Sequence, residues 1–543
     1  MKPFILHRSI ILFILFIVIS HVYALAANLS LIIKTRIAPG DTRYPLYHTP
    51  HAFDYNFYLS AITQSANGSW LMKDTLTTEP TNPTIFYFYY ILTGKAASVF
   101  HLWPPVAYHL VRIISLELFF VSIFVLMKKI LGVWTGFGAS LFSIILTIPP
   151  AFLYNNPGAF KLFTPWWGGF EAIKRIDGLP HYLFGFSLLF ISLVMILEYL
   201  YSGRSKYWIF AALCIFTAGI LFPPAIMPLL FAIPSSTIAL LLIKRINQQP
   251  IHINYKKTVM ISILLIIGMI SYLIIWRENY NGFPWDTWNR WEIAKWNQNE
   301  PTFDFNLFLS FGFPILCSIP ALLLILKKPD LKRIFLLSWA IMPFVLLPFV
   351  NILGISKMRL VSSAPFVPFA ALAAISIFQS PIFIRAKLRY LTAGFLIISS
   401  VGTSIFYLIP DVTEALHQKI YTNLYIQNSV WGTFHFMDKF LPDRAVVFSD
   451  EFAGSIIAAY TPMISFIGHP VHTKNYSEKK ELVNIFYSAK TPISEARKII
   501  QNYGIQYVYW GSDERNIRGT DSAYPFLKKV FEQEGVILYK VME

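Results

Sequence analysis

The sequence predicts a polytopic α-helical membrane bundle of about 11 transmembrane helices, followed by a small extracytoplasmic α/β domain. Three observations lead there. Only 14% of the 543 residues are charged and 55% are hydrophobic, whereas soluble domains run at about 25% charged. The mean hydropathy is +0.53, and runs of the roughly 20 apolar residues that cross a bilayer as helix recur as far as residue 410. Beyond that point the apolar runs shrink to strand length and acids return. Disorder, collagen and coiled coil are excluded by the same composition. Cys214 and Cys317 sit in separate apolar runs, so neither a disulfide framework nor a cysteine zinc site is expected.

In chain order, the first run covers 9–33, behind Lys2 and Arg8. Ala24-Leu25-Ala26 looks like a signal-peptidase site, but the apolar stretch continues past it and a retained helix is expected. Further runs cover about 106–127, 132–153, 182–200, 207–222, 225–243, 258–276, 306–326, 333–350, 360–380 and 388–409. Pro223-Pro224 breaks one long run into a tight hairpin. The stretch 84–100 is apolar but short and interrupted by Gly94 and Lys95, which reads as an interfacial or re-entrant helix.

Charge placement tests this order, because cytoplasmic loops carry excess Lys and Arg. With a cytoplasmic N-terminus, the inner segments hold Lys128-Lys129, Arg204 and Lys206, Lys244-Arg245 with Lys256-Lys257, Lys327-Lys328 with Lys332-Arg333, and Arg385, Lys387 and Arg389. Asp330 is their only acid. The outer loops hold Asp41, Asp54, Asp74, Glu79, Glu171, Asp177, Glu278, Asp286, Glu292, Glu300 and Asp304. An odd number of spans then leaves 411–543 outside, and the chain is expected to be a multi-pass protein of the inner (plasma) membrane. Much of the formal +16 charge is thereby topological, and no nucleic-acid partner is implied.

The chain therefore divides into a membrane domain, 1–410, with a large first outer loop, 34–105, and an extracytoplasmic domain, 411–543. In the latter, 445–448, 506–510 and 536–539 read as strands. Helical spacing covers 478–487 and 493–503, the second capped by Gly504. Strands alternating with helices predict a largely parallel sheet.

The first outer loop interleaves aromatics with acids and prolines: His48-Thr49-Pro50-His51-Ala52-Phe53-Asp54-Tyr55-Asn56-Phe57-Tyr58-Leu59, then Gly68-Ser69-Trp70-Leu71 and Thr78-Glu79-Pro80. A long loop of that composition is expected to be ordered and functional. Asp54 opens a helix and reads equally as a first-turn carboxylate stabilised by the helix dipole or as a catalytic carboxylate at the membrane face. Asp41, Asp74 and Glu79 are the loop's other acids.

An N-terminal span, an outer loop opening with an acid before an aromatic helix, Gly-x-Trp, a proline-bearing amphipathic stretch and a span beginning Tyr108-His109-Leu110-Val111-Arg112 together resemble the GT-C superfamily. These are polytopic glycosyltransferases that use polyprenyl-phosphate sugars, such as protein mannosyltransferases, aminoarabinose transferases and oligosaccharyltransferases. The likeness covers the topology and about residues 35–130. It departs in one respect: no second acid stands beside Asp54, which is flanked by Phe53 and Tyr55. By position, the resemblance implies that Asp54 is the catalytic base. The tail resembles that of bacterial membrane proteins of this type through Phe466-Ile467-Gly468-His469-Pro470-Val471-His472-Thr473 and Tyr503-Gly504-Ile505-Gln506-Tyr507-Val508. The histidine pair His469/His472 could bind a metal or phosphate, but loop histidines are more often solvated.

His51, Arg112, Lys174, Arg175 and Arg359 are the expected substrate-binding residues, the cations suiting a lipid phosphate. Where members of the superfamily use a divalent cation, the second outer loop gives a ligand, so Glu171 and Asp177 could join Asp54 around Mg²⁺ or Mn²⁺. The bland reading, a wet charged surface helix, is slightly favoured there. Glu117 lies deep in the second span and needs a partner. Trp285, Trp288, Trp291 and Trp296 read as an interfacial aromatic belt sooner than as a glycan platform. No P-loop, GxGxxG, HExxH or GxSxG motif stands in context, which argues against ATP-driven transport and against a cytoplasmic nucleotide-sugar enzyme.

The expected function is transfer of a sugar from a polyprenyl-phosphate donor to an unidentified glycan, lipid or protein acceptor at the outer face, with inversion. Two alternatives stand beside it: a flippase or transporter for lipid-linked saccharide, and a non-catalytic envelope-assembly protein. The first would show matching broken helices in two halves, which the sequence lacks. The second would leave Asp54 facing lipid or bulk water.

Overall fold

The computed structural model describes residues 2–48, 52–147, 171–250, 254–299, 311–327, 329–362, 366–381, 386–417, 424–488, 490–518 and 524–542. The chain forms two compact units. The membrane unit comprises Met1–Leu29, Arg112–Trp276 and Trp291–Thr413; the second comprises Ser30–Val111, Arg277–Arg290 and Glu414–Glu543. The first outer loop thus shares one compact unit with the C-terminal segment.

Among the described residues, 8 helices are long and apolar enough to cross a membrane: Arg8–Ala27, Pro104–Leu131, Pro180–Ser202, Pro223–Ile246, Tyr255–Glu278, Leu331–Leu353, Lys357–Gln379 and Lys387–His417. Shorter apolar helices occupy Val133–Ile145, Ser205–Leu221 and Phe313–Lys327. Each of the predicted runs has its helix. The Pro223-Pro224 break is real: one helix ends at Leu221, and Pro223 opens the next, where its missing N–H costs nothing.

Small residues set the packing of the membrane unit. Helix Phe366–Gln379 is buried throughout from Phe366 to Ile377. It lies so close to helix Val133–Ile145 that a Cβ on Gly138 would stand 2.4 Å from Phe378 Cε2. Likewise, a Cβ on Gly219 would fall 1.9 Å from Ser271 Oγ. Close approach of this kind is what holds helices together where lipid offers no hydrophobic drive. Glu117, within the second span, meets His21 at 2.8 Å, and at the C-terminal end of that helix Lys129 pairs with Glu198.

In the second unit, helix Ala52–Ala66 packs against helix Phe88–Phe100 and against helix Glu451–Tyr460. Its sheet contains β3 (Val446–Phe448), β4 (Ile464–Ser465), β5 (Tyr507–Trp510), β6 (Leu527–Gln533) and β7 (Val536–Val541), in the order β4-β3-β5-β7-β6. A two-stranded ribbon joins β1 (Thr42–Arg43) to β2 (Ile426–Gln427).

The expectation of a largely parallel sheet needs correcting. β3 runs parallel to β4 and β5, but β7 is antiparallel to β5 and β6. The cause is the Glu534-Gly535 turn, where both residues have positive φ (45° and 83°), the twist that joins antiparallel strands tightly. The charged sequence of β6 hid it, because an edge strand needs only one apolar face.

Candidate functional site

Asp54 lies in the first turn of helix Ala52–Ala66, where the helix dipole favours a carboxylate. Its side chain is 29% exposed. Asp54 Oδ1 is 3.0 Å from His469 Nε2, and His469 is 6% exposed. The Val471 N–H donates to His469 Nδ1 at 3.1 Å. Burial pushes the His469 imidazole below its ordinary value, with His472 adding to that and Asp54 opposing it.

Beside this pair sits a second. His472 Nδ1 is 2.6 Å from Asp74 Oδ2, and the two side chains are 2% and 0% exposed. Asp74 Oδ1 accepts the Leu76 N–H at 2.7 Å. Aromatic rings enclose both imidazoles. Phe57 lies 3.9 Å from His472, Trp288 lies 5.8 Å from His472 and 6.3 Å from His469, and Trp285 closes the back. Trp285 is a core residue, 1% exposed, whose indole donates to Asn82 O. That corrects the interfacial-belt expectation for Trp285; Trp288 is half-buried and Trp291 is 42% exposed.

The acid-rich loop is bound to the C-terminal segment by a third buried pair. Lys479 Nζ, fully buried, contacts Glu79 Oε2 at 2.7 Å and Thr78 Oγ1 at 2.9 Å. Burial alone would raise the Glu79 carboxyl, but Lys479 and Thr77 outweigh it and hold it below its ordinary value. Burial pulls Lys479 down against the attraction of Glu79. Asn56 Nδ2 donates to Ser455 Oγ, and Thr63 Oγ1 to Ala459 O.

Sequence reasoning singled out Asp54, and it named His469, His472, Asp74 and Glu79 without joining them. The expectation of solvated histidines fails because the aromatics that bury them come from distant segments. Asp41 is exposed. His51 lies outside the described residues.

The basic candidates belong to the membrane unit. Arg112, 6% exposed, pairs with Asp177 at 2.7 Å and also donates to Asn28 Oδ1. Arg175 is buried, with its guanidinium on the carbonyls of Ser143, Ile144 and Leu146 at the end of helix Val133–Ile145. It lies 3.4 Å above the Phe366 ring. That cation caps a helix C-terminus. Lys174 reaches Asp411 at 3.2 Å and is 41% exposed. Arg359, 32% exposed, bridges Glu292 at 2.5 Å and the Tyr182 hydroxyl; Ser356 Oγ also donates to Glu292.

Glu171 caps helix Ala172–Ile176 by accepting the Lys174 N–H at 2.8 Å, and takes the Ser404 hydroxyl at 3.2 Å. It is 1% exposed, not a residue of a wet surface helix. Among the described residues, no group of three or more His, Cys, Asp or Glu side chains is gathered as a metal site. Glu171 and Asp177 give their oxygens to donors of their own chain, so they do not fit a cation site as they stand.

No protein-family profile matches the chain, and no curated protein matches it in sequence. Solved structures do. ArnT from Cupriavidus metallidurans bound to undecaprenyl phosphate is similar over 97% of each chain, at 10% identity and a TM-score of 0.52. Archaeal oligosaccharyltransferase AglB from Archaeoglobus fulgidus, in complex with an inhibitory peptide and a dolichol-phosphate, covers 90% of this chain and 69% of its own, at 13% identity and a TM-score of 0.48. The likeness to ArnT shows the fold. It is the polytopic bundle with a C-terminal domain that the GT-C resemblance implied, and it extends over almost the whole of both chains.

Proposed function

We propose that this chain is an inverting membrane glycosyltransferase that moves a sugar from a polyprenyl-phosphate donor to an acceptor hydroxyl or amide at the outer membrane face. The observation that carries this reading is the Asp54 carboxylate. It is partly exposed, sits at a helix N-terminus and is anchored to His469, in a chain with the fold of a protein that binds undecaprenyl phosphate. A carboxylate lying free in bulk water would have favoured the non-catalytic envelope-assembly reading instead.

In the proposed step, Asp54 takes the proton of the acceptor group as that group attacks the anomeric carbon. The bond from anomeric carbon to phosphate oxygen breaks, and the polyprenyl phosphate leaves with the bonding pair. One displacement inverts the anomeric centre. General-base assistance of this kind contributes roughly 10²–10⁴-fold. Lys174 and Arg359, within the membrane unit, keep partly exposed cationic heads and are proposed to bind a lipid phosphate. Arg112 and Arg175 are proposed to fix the frame of the membrane unit in which those cations stand. A divalent cation at Glu171 and Asp177 would have to displace the Lys174 amide and the Arg112 guanidinium, and no step is routed through one. The N-terminus is proposed to be cytoplasmic and the segment after residue 410 extracytoplasmic, in a plasma membrane.

The test uses lipid extracts, since the sugar is unidentified. Cells lacking the protein, or carrying only Asp54→Asn, should accumulate a glycosylated polyprenyl phosphate that the wild-type chain clears. Equal lipid profiles in all three strains would refute the reading.

A further inference from the structure

We infer that His469 is a positioning residue for Asp54, so that the C-terminal segment builds part of the catalytic apparatus; this rests on the proposed role of Asp54. Both ring nitrogens of His469 are committed. Nδ1 accepts the Val471 N–H at 3.1 Å, which leaves the ring proton on Nε2. Nε2 is 3.0 Å from Asp54 Oδ1 and therefore donates to it. No imidazole lone pair remains to take a proton from an acceptor. His469 holds the base and does not act as one.

The histidine is itself held. Thr473 Oγ1 accepts the N–H groups of Gly468 and His469 and donates to Leu76 O at 2.7 Å. His472, two residues before Lys474, is tied to Asp74, and the Lys474 N–H bonds to Thr77 Oγ1. A Cβ on Gly468 would stand 2.4 Å from Leu76 Cδ2, so the histidine loop is pressed onto residues 74–77. The segment that carries His469 thus cannot shift without moving the acid-rich loop. All of these contacts lie inside one compact unit.

Two features follow. One oxygen of Asp54 is fixed by the imidazole, so the carboxylate meets the acceptor in one orientation. The donor is a neutral imidazole, which restrains the carboxylate without the strong loss of basicity that a cation partner would cause. Misplacing a catalytic group by about 1 Å can cost 10²-fold in rate.

The experiment compares His469→Ala and His469→Gln in the full chain, reconstituted in liposomes with the lipid-linked sugar that accumulates in the Asp54→Asn strain. Thermal unfolding of each variant is recorded alongside kcat and KM for the lipid. His469→Ala is expected to lose about 10–100-fold in kcat with KM changed less than about threefold. His469→Gln, whose amide can donate from a similar position, is expected to recover most of that loss. Wild-type kcat in His469→Ala overturns the inference. So does a His469→Gln variant that unfolds at the wild-type temperature yet is as slow as the alanine variant. If His469→Ala fails to fold, the glutamine variant decides alone: a kcat about 10-fold or more below wild type, with unfolding at the wild-type temperature, overturns the inference. An active Asp54→Asn chain would instead sink the role of Asp54, which separates the two failures.

Discussion

Asp54 and His469 are 415 residues apart in sequence and 3.0 Å apart in space. The carboxylate was legible in the sequence because a first-turn acid before an aromatic helix is a local pattern. Its partner was not, since a loop of the form Gly-His-Pro-Val-His carries no sign of what will cover it. Burial comes from Phe57, Trp285 and Trp288, three residues from two other segments. The buried pair Lys479–Glu79 was illegible for the same reason. It gives a direct expectation: Glu79→Gln strands a fully buried ammonium, and thermal unfolding should show a loss of about 3 kcal/mol. A second cluster sets a pH dependence. Burial, with Asp513 and Glu451 beside it, pushes the Asp450 carboxyl from 3.8 up to about 7, and Glu514 is raised likewise. A raised folded value means that the folded state holds the proton more tightly than the unfolded one. This contribution is therefore present at low pH and is lost as pH rises from about 4 to 7, at up to about 1.4 kcal/mol per pH unit for one group. Asp450→Asn should flatten that slope in unfolding experiments across the window. An unchanged slope would show that Asp450 does not titrate there.

At the scale of elements, the 8 long apolar helices among the described residues were readable because a bilayer imposes length and apolarity on each one separately. The Pro223-Pro224 break was readable because proline acts locally. Contacts between elements were not. Gly138 looked like any glycine in an apolar run, yet its missing side chain admits Phe378. Gly138→Val should overpack that seam and cost about 1–3 kcal/mol, visible as a lower unfolding temperature in detergent, whereas Gly394→Val, where nothing lies within 4 Å, should cost less. In the sheet, β3, β5 and β7 were found as apolar runs. β6 was missed because Lys528, Lys529, Glu532 and Gln533 conceal a strand whose pairing is set by the Glu534-Gly535 turn.

At the scale of the whole molecule, composition was enough for the class of protein, and the alternation of basic and acidic loops for a proposed orientation. Cysteine substitutions at Lys206 and Lys480, tested with a membrane-impermeant thiol reagent in intact cells against a Cys214→Ser, Cys317→Ser background, check that orientation. Labelling is expected at 480 and not at 206; the reverse pattern would invert the topology. What composition could not show is that the first outer loop and the C-terminal segment fold as one unit, with the acid on one and its histidine on the other. The central claim, that Asp54 is the base in transfer from a polyprenyl-phosphate sugar, is tested most directly by the release of free polyprenyl phosphate by purified chain in liposomes. With the accumulated lipid and its acceptor present, the wild-type chain should release polyprenyl phosphate in step with glycosylated acceptor. Asp54→Asn should do so about 10²–10⁴-fold more slowly while still binding the lipid. Release by Asp54→Asn at the wild-type rate would contradict the claim.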